Sequence, residues 1–310
     1  MLIEFHRKML ADAVRSRAFE AALRRVITPG QSTVADIGAG TGVLGFMAQR
    51  LGAREVHLVE QGEVIELAAR LADANAIPGL HFWQAHSADI LDPPQVDVVV
   101  AEILGNLALE ENALETLADA RRFLREGGTL IPARIEQFVA PVTNATFHEE
   151  LCSWDRAPLG LDFSAARRMS LDNVYVRRIS PADLLSAGCE RRWDALDFVS
   201  VTDGRRRGSA DWTLAVACRI HGFALWWDCE LVAGVRLGTS PYGPPTHWDQ
   251  VYAPVAEPLE CAAGDQLTIA IEAETGGGEA GIGLRWEVTQ RRAGRLVVQQ
   301  AQDISRGFIG

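Results

Sequence analysis

No CxxC pair occurs in this chain. Its five cysteines, Cys152, Cys189, Cys218, Cys229 and Cys261, are odd in number and widely spread. That argues against a disulfide framework or a cysteine zinc site and for reduced intracellular thiols, hence a cytoplasmic protein. No apolar run reaches the length of a membrane span, and the opening MLIEFHRKML has no signal-peptide core, so no membrane partner is expected. Positive charge is scarce: 30 Lys and Arg stand against 41 Asp and Glu, for a net charge of −11. An acidic surface is a poor partner for nucleic acid and a good one for cationic substrates, although acidity also serves plain solubility.

The remaining composition is that of a globular protein, 48% hydrophobic and 23% charged. At 310 residues the chain is long for one core, so two domains are expected. Leu10, Val14, Ala18, Phe19, Leu23 and Ile27 form an apolar stripe that predicts a helix over 5–27. Apolar runs at 33–37, 55–60, 80–85, 96–101 and 128–132 then alternate with helical patterns at 43–51, 63–75 and about 110–125. Continuous Val/Ile/Leu runs separated by helices predict a mostly parallel sheet covered on both faces. After Pro132 the pattern changes to short β-like runs broken by Gly and Pro: IEQFVAPV, TLAVACRI, GFALWWDCELVA, QLTIAIEA and IGLRWEVTQ. They predict an antiparallel sandwich or barrel. The expected division is 1–132 and 133–310, with 147–190 an irregular excursion and GGG at 276–278 a hairpin turn. Trp193, Trp212, Trp226, Trp227 and Trp286 are expected in the core.

Two motifs carry chemistry. In VADIGAGTGVLG, Gly38, Gly40 and Gly42 follow a strand and precede a helix, after Asp36. Such a loop lets a ligand approach the main chain and aims free N–H groups at an anion. Glu60 ends the next strand, where a carboxylate can accept both hydroxyls of a ribose. From Gly40 the string reads GxGxxG, the dinucleotide fingerprint; from Gly38 it reads GxGxG, the pattern of S-adenosylmethionine sites. The strand ends at Ile37, which favours the second. The other motif is AEILGNLALEE, residues 101–111, which places Glu102 and Glu111 on either side of a glycine turn after the strand VDVVV. Two carboxylates can hold the N–H groups of a planar guanidinium. Glu110 and Glu115 read as surface charges.

At this point the chain resembles the protein arginine methyltransferase family, as a bacterial-type, lid-less variant. The family's double-glutamate loop matches Glu102, Glu111 and Gly105. Its His-x-x-Met-Leu-x-Asp-x-x-Arg helix matches His6, Met9, Leu10, Asp12 and Arg15, and its Thr-His-Trp loop matches Thr246, His247 and Trp248. DIGAGTG with Glu60, and GGTLIP, complete the resemblance, which runs from about residue 5 to about residue 290.

The resemblance implies a Rossmann-like methyltransferase domain, a β-barrel substrate domain and a dimerisation arm at 147–190, hence a homodimer. It implies that S-adenosylmethionine is held by Arg15 at its carboxylate, Glu60 at its ribose and Ser87 or Asp89 near adenine. Glu102 and Glu111 would hold the target guanidinium; Met9, Trp248 and His247 would line its pocket, with His247 paired to Asp12. Ile103, Leu104 and Asn106 replace the family's Trp, Met and Tyr inside the loop, and the aromatic lid helix that the family carries before FHRKML is expected to be absent or supplied otherwise. Both departures leave room for free L-arginine or another guanidino compound beside a protein or peptide arginine. A nicotinamide-dependent oxidoreductase would explain GTGVLG but gives the glutamate pair no role. Intact Glu102 and Glu111 argue against an inactive binding scaffold.

Overall fold

The structure is a computed structural model and describes residues 3–110, 112–156, 158–201, 203–275 and 282–307. The first half is built around a five-stranded parallel sheet of β1 (Thr33–Ile37), β2 (Glu55–Glu60), β3 (Leu80–Gln84), β4 (Val96–Ala101) and β5 (Leu124–Ile131), in the order β3-β2-β1-β4-β5. Every residue of β1 and all but Asp97 of β4 are buried, as a parallel sheet packed on both faces requires. Helices α3 (Val43–Arg50), α4 (Val64–Ala74) and α5 (Ala113–Ala120) connect the strands. The order reverses between β1 and β4, and open α/β sheets bind ligands at such a point.

The predicted first helix is two helices, α1 (Ile3–Ala11) and α2 (Ala13–Val26). Asp12 interrupts it: its backbone is extended and its Oδ1 accepts the N–H of Arg15 at 2.9 Å. A short carboxylate side chain competes for main-chain N–H groups and serves better as a cap than as a helix interior residue. The break turns Asp12 and Arg15 into the protein, where both are buried.

The second half is antiparallel. β6 (Arg134–Val142) leads into α6 (Ala145–Leu151), α7 (Ser164–Leu171) and β7 (Tyr175–Arg177), which interrupt the β pattern where the irregular excursion is expected. There follow β8 (Arg191–Asp197), β9 (Arg205–Thr213), β10 (Cys218–Val232), β11 (Val235–Gly238), β12 (Gln250–Cys261), β13 (Gln266–Thr275), β14 (Ile282–Arg292) and β15 (Arg295–Asp303). One sheet runs β7-β12-β10-β6-β8 with β11 on β10; the other runs β15-β14-β13-β9. TLAVACRI is not one strand: β9 ends at Thr213, and Leu214 exchanges main-chain hydrogen bonds with Asp265 and Gly264 before β10 begins. The GGG at 276–278 lies outside the described residues.

Trp193, Trp212, Trp226, Trp227 and Trp286 are all buried. One continuous apolar cluster joins Phe19 and Val34 of the first half to Trp227, Val255 and Trp286 of the second. A smaller one, with Leu151, Leu171 and Tyr252, lies under α6 and α7. Among the described residues no helix is long and apolar enough to cross a membrane.

Candidate active site

A cavity of about 1170 Å³ opens where β1 and β4 end, walled by α1, the glycine loop, the loop after β4 and residues 247–249. The glycine loop is fixed by its own main chain. Gly38 and Ala39 donate to the carbonyl of Val59, and Gly42 donates to that of Ala39. Gly38, Gly40 and Gly42 all have positive φ, which a side chain would resist. At Gly40 a Cβ would also stand 2.8 Å from the ring of His6. His6 is therefore part of this cradle, a role the motif alone did not assign; burial lowers its pKa.

Glu60 takes the N–H of Gly40 at 3.1 Å on one oxygen and that of Gly62 at 2.7 Å on the other. Asp36 is almost wholly buried; burial pushes its carboxyl up to about 7, against the N–H of Gly45, which it accepts at 2.8 Å. Ser87 lines the cavity, buried with an unpartnered hydroxyl. Asp89 does not: it is exposed and absent from the cavity wall, because the single 3₁₀ turn over 87–89 carries it outward.

Arg15 and Glu102 form the centre. Nε of Arg15 donates to Oε2 of Glu102 at 2.7 Å, and a terminal guanidinium nitrogen meets the same oxygen. Both side chains are nearly inaccessible, at 7% and 4%, and the guanidinium lies 5.5 Å from the ring centroid of Phe19. An arginine on an amphipathic helix ordinarily faces water; here the break at Asp12 turns it inward. Resemblance assigns Arg15 to the cofactor and Glu102 to the substrate, and the structure binds the two to each other.

The loop after β4 is tied from three sides. Glu110 folds over Gly105, where a Cβ would collide with its carboxylate, and accepts the N–H of Leu107 at 3.3 Å. Glu110 is thus a half-buried residue of the cavity wall rather than a surface charge. Glu115, exposed, accepts the hydroxyl of Thr275 and so ties α5 to β13. Trp227 of β10 donates its indole N–H to the carbonyl of Gly105 at 3.0 Å, and Trp248 donates to that of Leu104 at 2.8 Å. Asn106 accepts the N–H of Asp249 at 3.1 Å. Ala108 and Asn112, before and after Glu110, hold positive φ, the kind of local strain that gathers at functional sites. Glu111 itself lies outside the described residues.

His247 donates its main-chain N–H to Oδ2 of Asp12 at 2.7 Å, and its Nδ1 lies 2.9 Å from the same oxygen. Burial raises the pKa of Asp12, but the N–H of Arg15 and the two contacts of His247 outweigh it and bring it below the usual value. The ring of His247 lies tilted by 40° against that of Trp248, 3.8 Å between centroids. Met9, Asn106, His247 and Trp248 all line the cavity.

These residues fit S-adenosylmethionine. The glycine loop leaves its main chain open to a ligand, a carboxylate stands at the end of β2, a buried hydroxyl lacks a partner, and a buried guanidinium can meet a carboxylate. The fold and cavity define a class: an α/β enzyme whose cavity fits a nucleoside cofactor and holds a nearly inaccessible carboxylate.

Comparison with known proteins narrows it. A family model described as "Arginine methyltransferase oligomerization subdomain" matches residues 133–289, and one described as "Ribosomal protein L11 methyltransferase (PrmA)" matches 20–137. Protein arginine N-methyltransferase 6 of Xenopus tropicalis is 30% identical over 283 residues, covering 86% of this chain and 82% of that protein. Protein arginine N-methyltransferase 2 of the same species is 29% identical over 86% of this chain and 65% of its own length. The fold is similar to that of the Trypanosoma brucei PRMT1 enzyme–prozyme heterotetrameric complex with AdoHcy. There the TM-score is 0.85, with 23% identity, covering 97% of this chain and 98% of that one. The chain belongs to the protein arginine N-methyltransferase family.

Proposed function

We propose that this chain methylates the guanidino nitrogen of arginine with S-adenosylmethionine. The observation that carries the reading is Glu102, whose nearly inaccessible carboxylate follows β4 and is held by Arg15 inside the cavity that the glycine loop opens. When bound, S-adenosylmethionine supplies a sulfonium methyl group. Arg15 suits its carboxylate, Glu60 its ribose hydroxyls, and Ser87 the adenine end, with Asp36 and the glycines shaping the cradle.

Glu102 and Glu111 hold the guanidinium of the acceptor. A protonated guanidinium spreads its charge over three nitrogens and is a weak nucleophile. Two carboxylates on its edges draw positive charge away from the attacking nitrogen and fix that nitrogen in place, and positioning is a large part of such catalysis. The methylated nitrogen then loses a proton, to Glu111 or to water. Asp12 orients His247 against Trp248, and Met9 with Asn106 completes the wall.

We infer further that the chain works as a homodimer through 147–190, in the cytoplasm. Trp154, Leu161, Phe163 and Val176 stand 37–58% exposed on that segment, and exposed apolar groups gathered in one region mark an interaction surface.

The test is mass spectrometry of a reaction with methyl-labelled S-adenosylmethionine, offering free L-arginine and an arginine/glycine-rich peptide in parallel. Label on either acceptor supports the reading, and the product mass counts the methyl groups. Label on no guanidino compound, with cofactor binding intact, would sink it.

A further inference from the structure

Of the 30 lysine and arginine residues, Lys8 is the only lysine. It does not stand on a remote surface. It lines the main cavity and also a neighbouring groove of about 410 Å³, formed with Arg7, Asp12, Ala13 and Thr246. Its place on α1, beside Met9, is at the acceptor end of the site.

Most of the charges around it are already engaged, the exposed Glu63 apart. Arg15, the other Lys or Arg that lines the cavity, is spent on Glu102. Arg7 in the groove is paired with Glu4 at 2.6 Å. Among the carboxylates, Glu60 is held by main-chain N–H groups and Asp249 by Arg178 at 2.8 Å. Lys8 instead stands over the ring of Phe5, 5.8 Å from its centroid, and among the described residues it is paired with no carboxylate. An aromatic face steadies an ammonium weakly at an exposed site and leaves its charge in place. A compact ammonium on a flexible stem can then reach an anion brought by a ligand.

We propose that Lys8 receives a carboxylate of the acceptor, so that the preferred substrate carries an anionic group as well as its guanidinium. The inference rests on the guanidino reading given above. Opposite charges then read the two ends of the acceptor: Glu102 takes the guanidinium and Lys8 the carboxylate. Free arginine carries both groups. A peptide does so where an acidic residue neighbours the arginine, whereas an arginine-rich basic peptide meets Lys8 as a like charge, which electrostatic complementarity disfavours. The net charge of −11 alone points to cationic substrates; Lys8 places one exposed positive charge on the rim of an otherwise acidic cavity.

Nα-acetyl-L-arginine and its amide differ only in the carboxylate, and two peptides with Asp or Asn beside one arginine differ in the same way. With the full chain, kcat/KM for the acidic member of at least one pair is expected to exceed that of the neutral member about tenfold, through KM; tenfold corresponds to about 1.4 kcal/mol. In Lys8→Met the ratio falls to about one, and in Lys8→Glu it inverts. Discrimination within the small-molecule pair assigns the carboxylate to a free amino acid, and within the peptides alone to an acidic side chain. A ratio near one for both pairs in the unmodified chain, or one that survives in Lys8→Met, overturns the inference. Calorimetric titration of the same pairs onto the chain saturated with S-adenosylhomocysteine reads the ratio as affinity without turnover. There, a ratio that depends on Lys8 without any methyl transfer sinks the methylation reading and upholds the present one, whereas equal affinities overturn it. Lys8 is exposed on its helix, and melting temperatures of the variants confirm that they fold.

Discussion

The two walls of the cavity are held by different means. The wall on the parallel sheet closes through bonds between near neighbours: Gly42 to Ala39, Gly45 to Asp36, Glu60 to Gly62. The wall facing the antiparallel half closes across more than a hundred residues: Trp227 to Gly105, Trp248 to Leu104, His247 to Asp12. The first can form once β1 and β2 pair. The second exists only when both halves are docked, so the loop carrying the glutamates reports on the whole molecule. Glu102 sits between the walls, held by Arg15 from a helix that Asp12 breaks, and Asp12 is itself bound to the far wall.

The largest expected effect follows from removing the charge at that junction. Glu102→Gln keeps the shape of the side chain and leaves the Arg15 guanidinium buried without its counter-charge. Losing one preorganised electrostatic partner costs about 10²–10³ in kcat, and a broken buried ion pair costs up to about 3–5 kcal/mol of stability, the upper end applying where the partner is deleted outright. Cofactor affinity, measured by titration calorimetry, should survive. Turnover within tenfold of the unmodified chain would refute the placement of Glu102 at the transfer site. Glu110→Gln and Glu111→Gln, compared in the same assay, sharpen it: Glu111→Gln should cost more than Glu110→Gln, and the reverse order would move the guanidinium partner to Glu110.

This contrast also decides what the sequence made legible. The glycine loop, the five parallel strands and the end of β4 follow from local patterns, because a strand buried on both faces is written as a continuous apolar run and a tight turn as glycine. The resemblance carried Arg15, Asp12 and His247, which no periodicity singles out. Helix 5–27 failed as one element because the apolar stripe runs through Asp12, while a carboxylate cap competes with the helix at a single position. Glu110 was misjudged because a charged residue beside another glutamate looks solvent-facing, and only the absence of a Cβ at Gly105 makes room for it. Trp227 was placed in the core correctly, yet its bond to Gly105 depends on docking of the two halves and has no signature in either segment. Of the pair Ser87 and Asp89, only Ser87 lines the cavity, because the 3₁₀ turn after β3 carries Asp89 outward.

Intermediate effects belong to the long-range wall. In Trp227→Phe or Trp248→Phe the ring volume is largely kept and one indole N–H is lost, orphaning the carbonyl of Gly105 or Leu104. An unsatisfied buried acceptor costs about 1–3 kcal/mol. Both variants should lose that much in denaturant unfolding and raise KM for the acceptor, with cofactor affinity within about twofold. If instead cofactor binding falls and acceptor KM does not, the two walls are not separable in the way their bonding indicates.

The effect spread most thinly, over several pH units, tests the near wall and appears as a pH slope. Asp36 is buried, and its carboxyl is pushed up to about 7. In the unfolded chain it ionises near its ordinary value of about 4. Between these limits the folded protein holds a proton that the unfolded chain has released, so stability falls as pH rises through the window. Below about 4 both states are protonated, and above about 7 both are ionised, so the slope vanishes at either end. One proton bound in this way contributes at most about 1.4 kcal/mol per pH unit. Asp36→Asn keeps an acceptor for the N–H of Gly45 and removes the titration. The difference in unfolding free energy between the two proteins isolates this carboxyl from the other acids of the chain. It should shift steadily toward the variant from pH 4 to pH 7 and level off above. A difference that is flat across that range would mean that Asp36 ionises normally, with the nearby Arg15 guanidinium meeting its charge as well as that of Glu102. In that case the two walls would share one electrostatic centre.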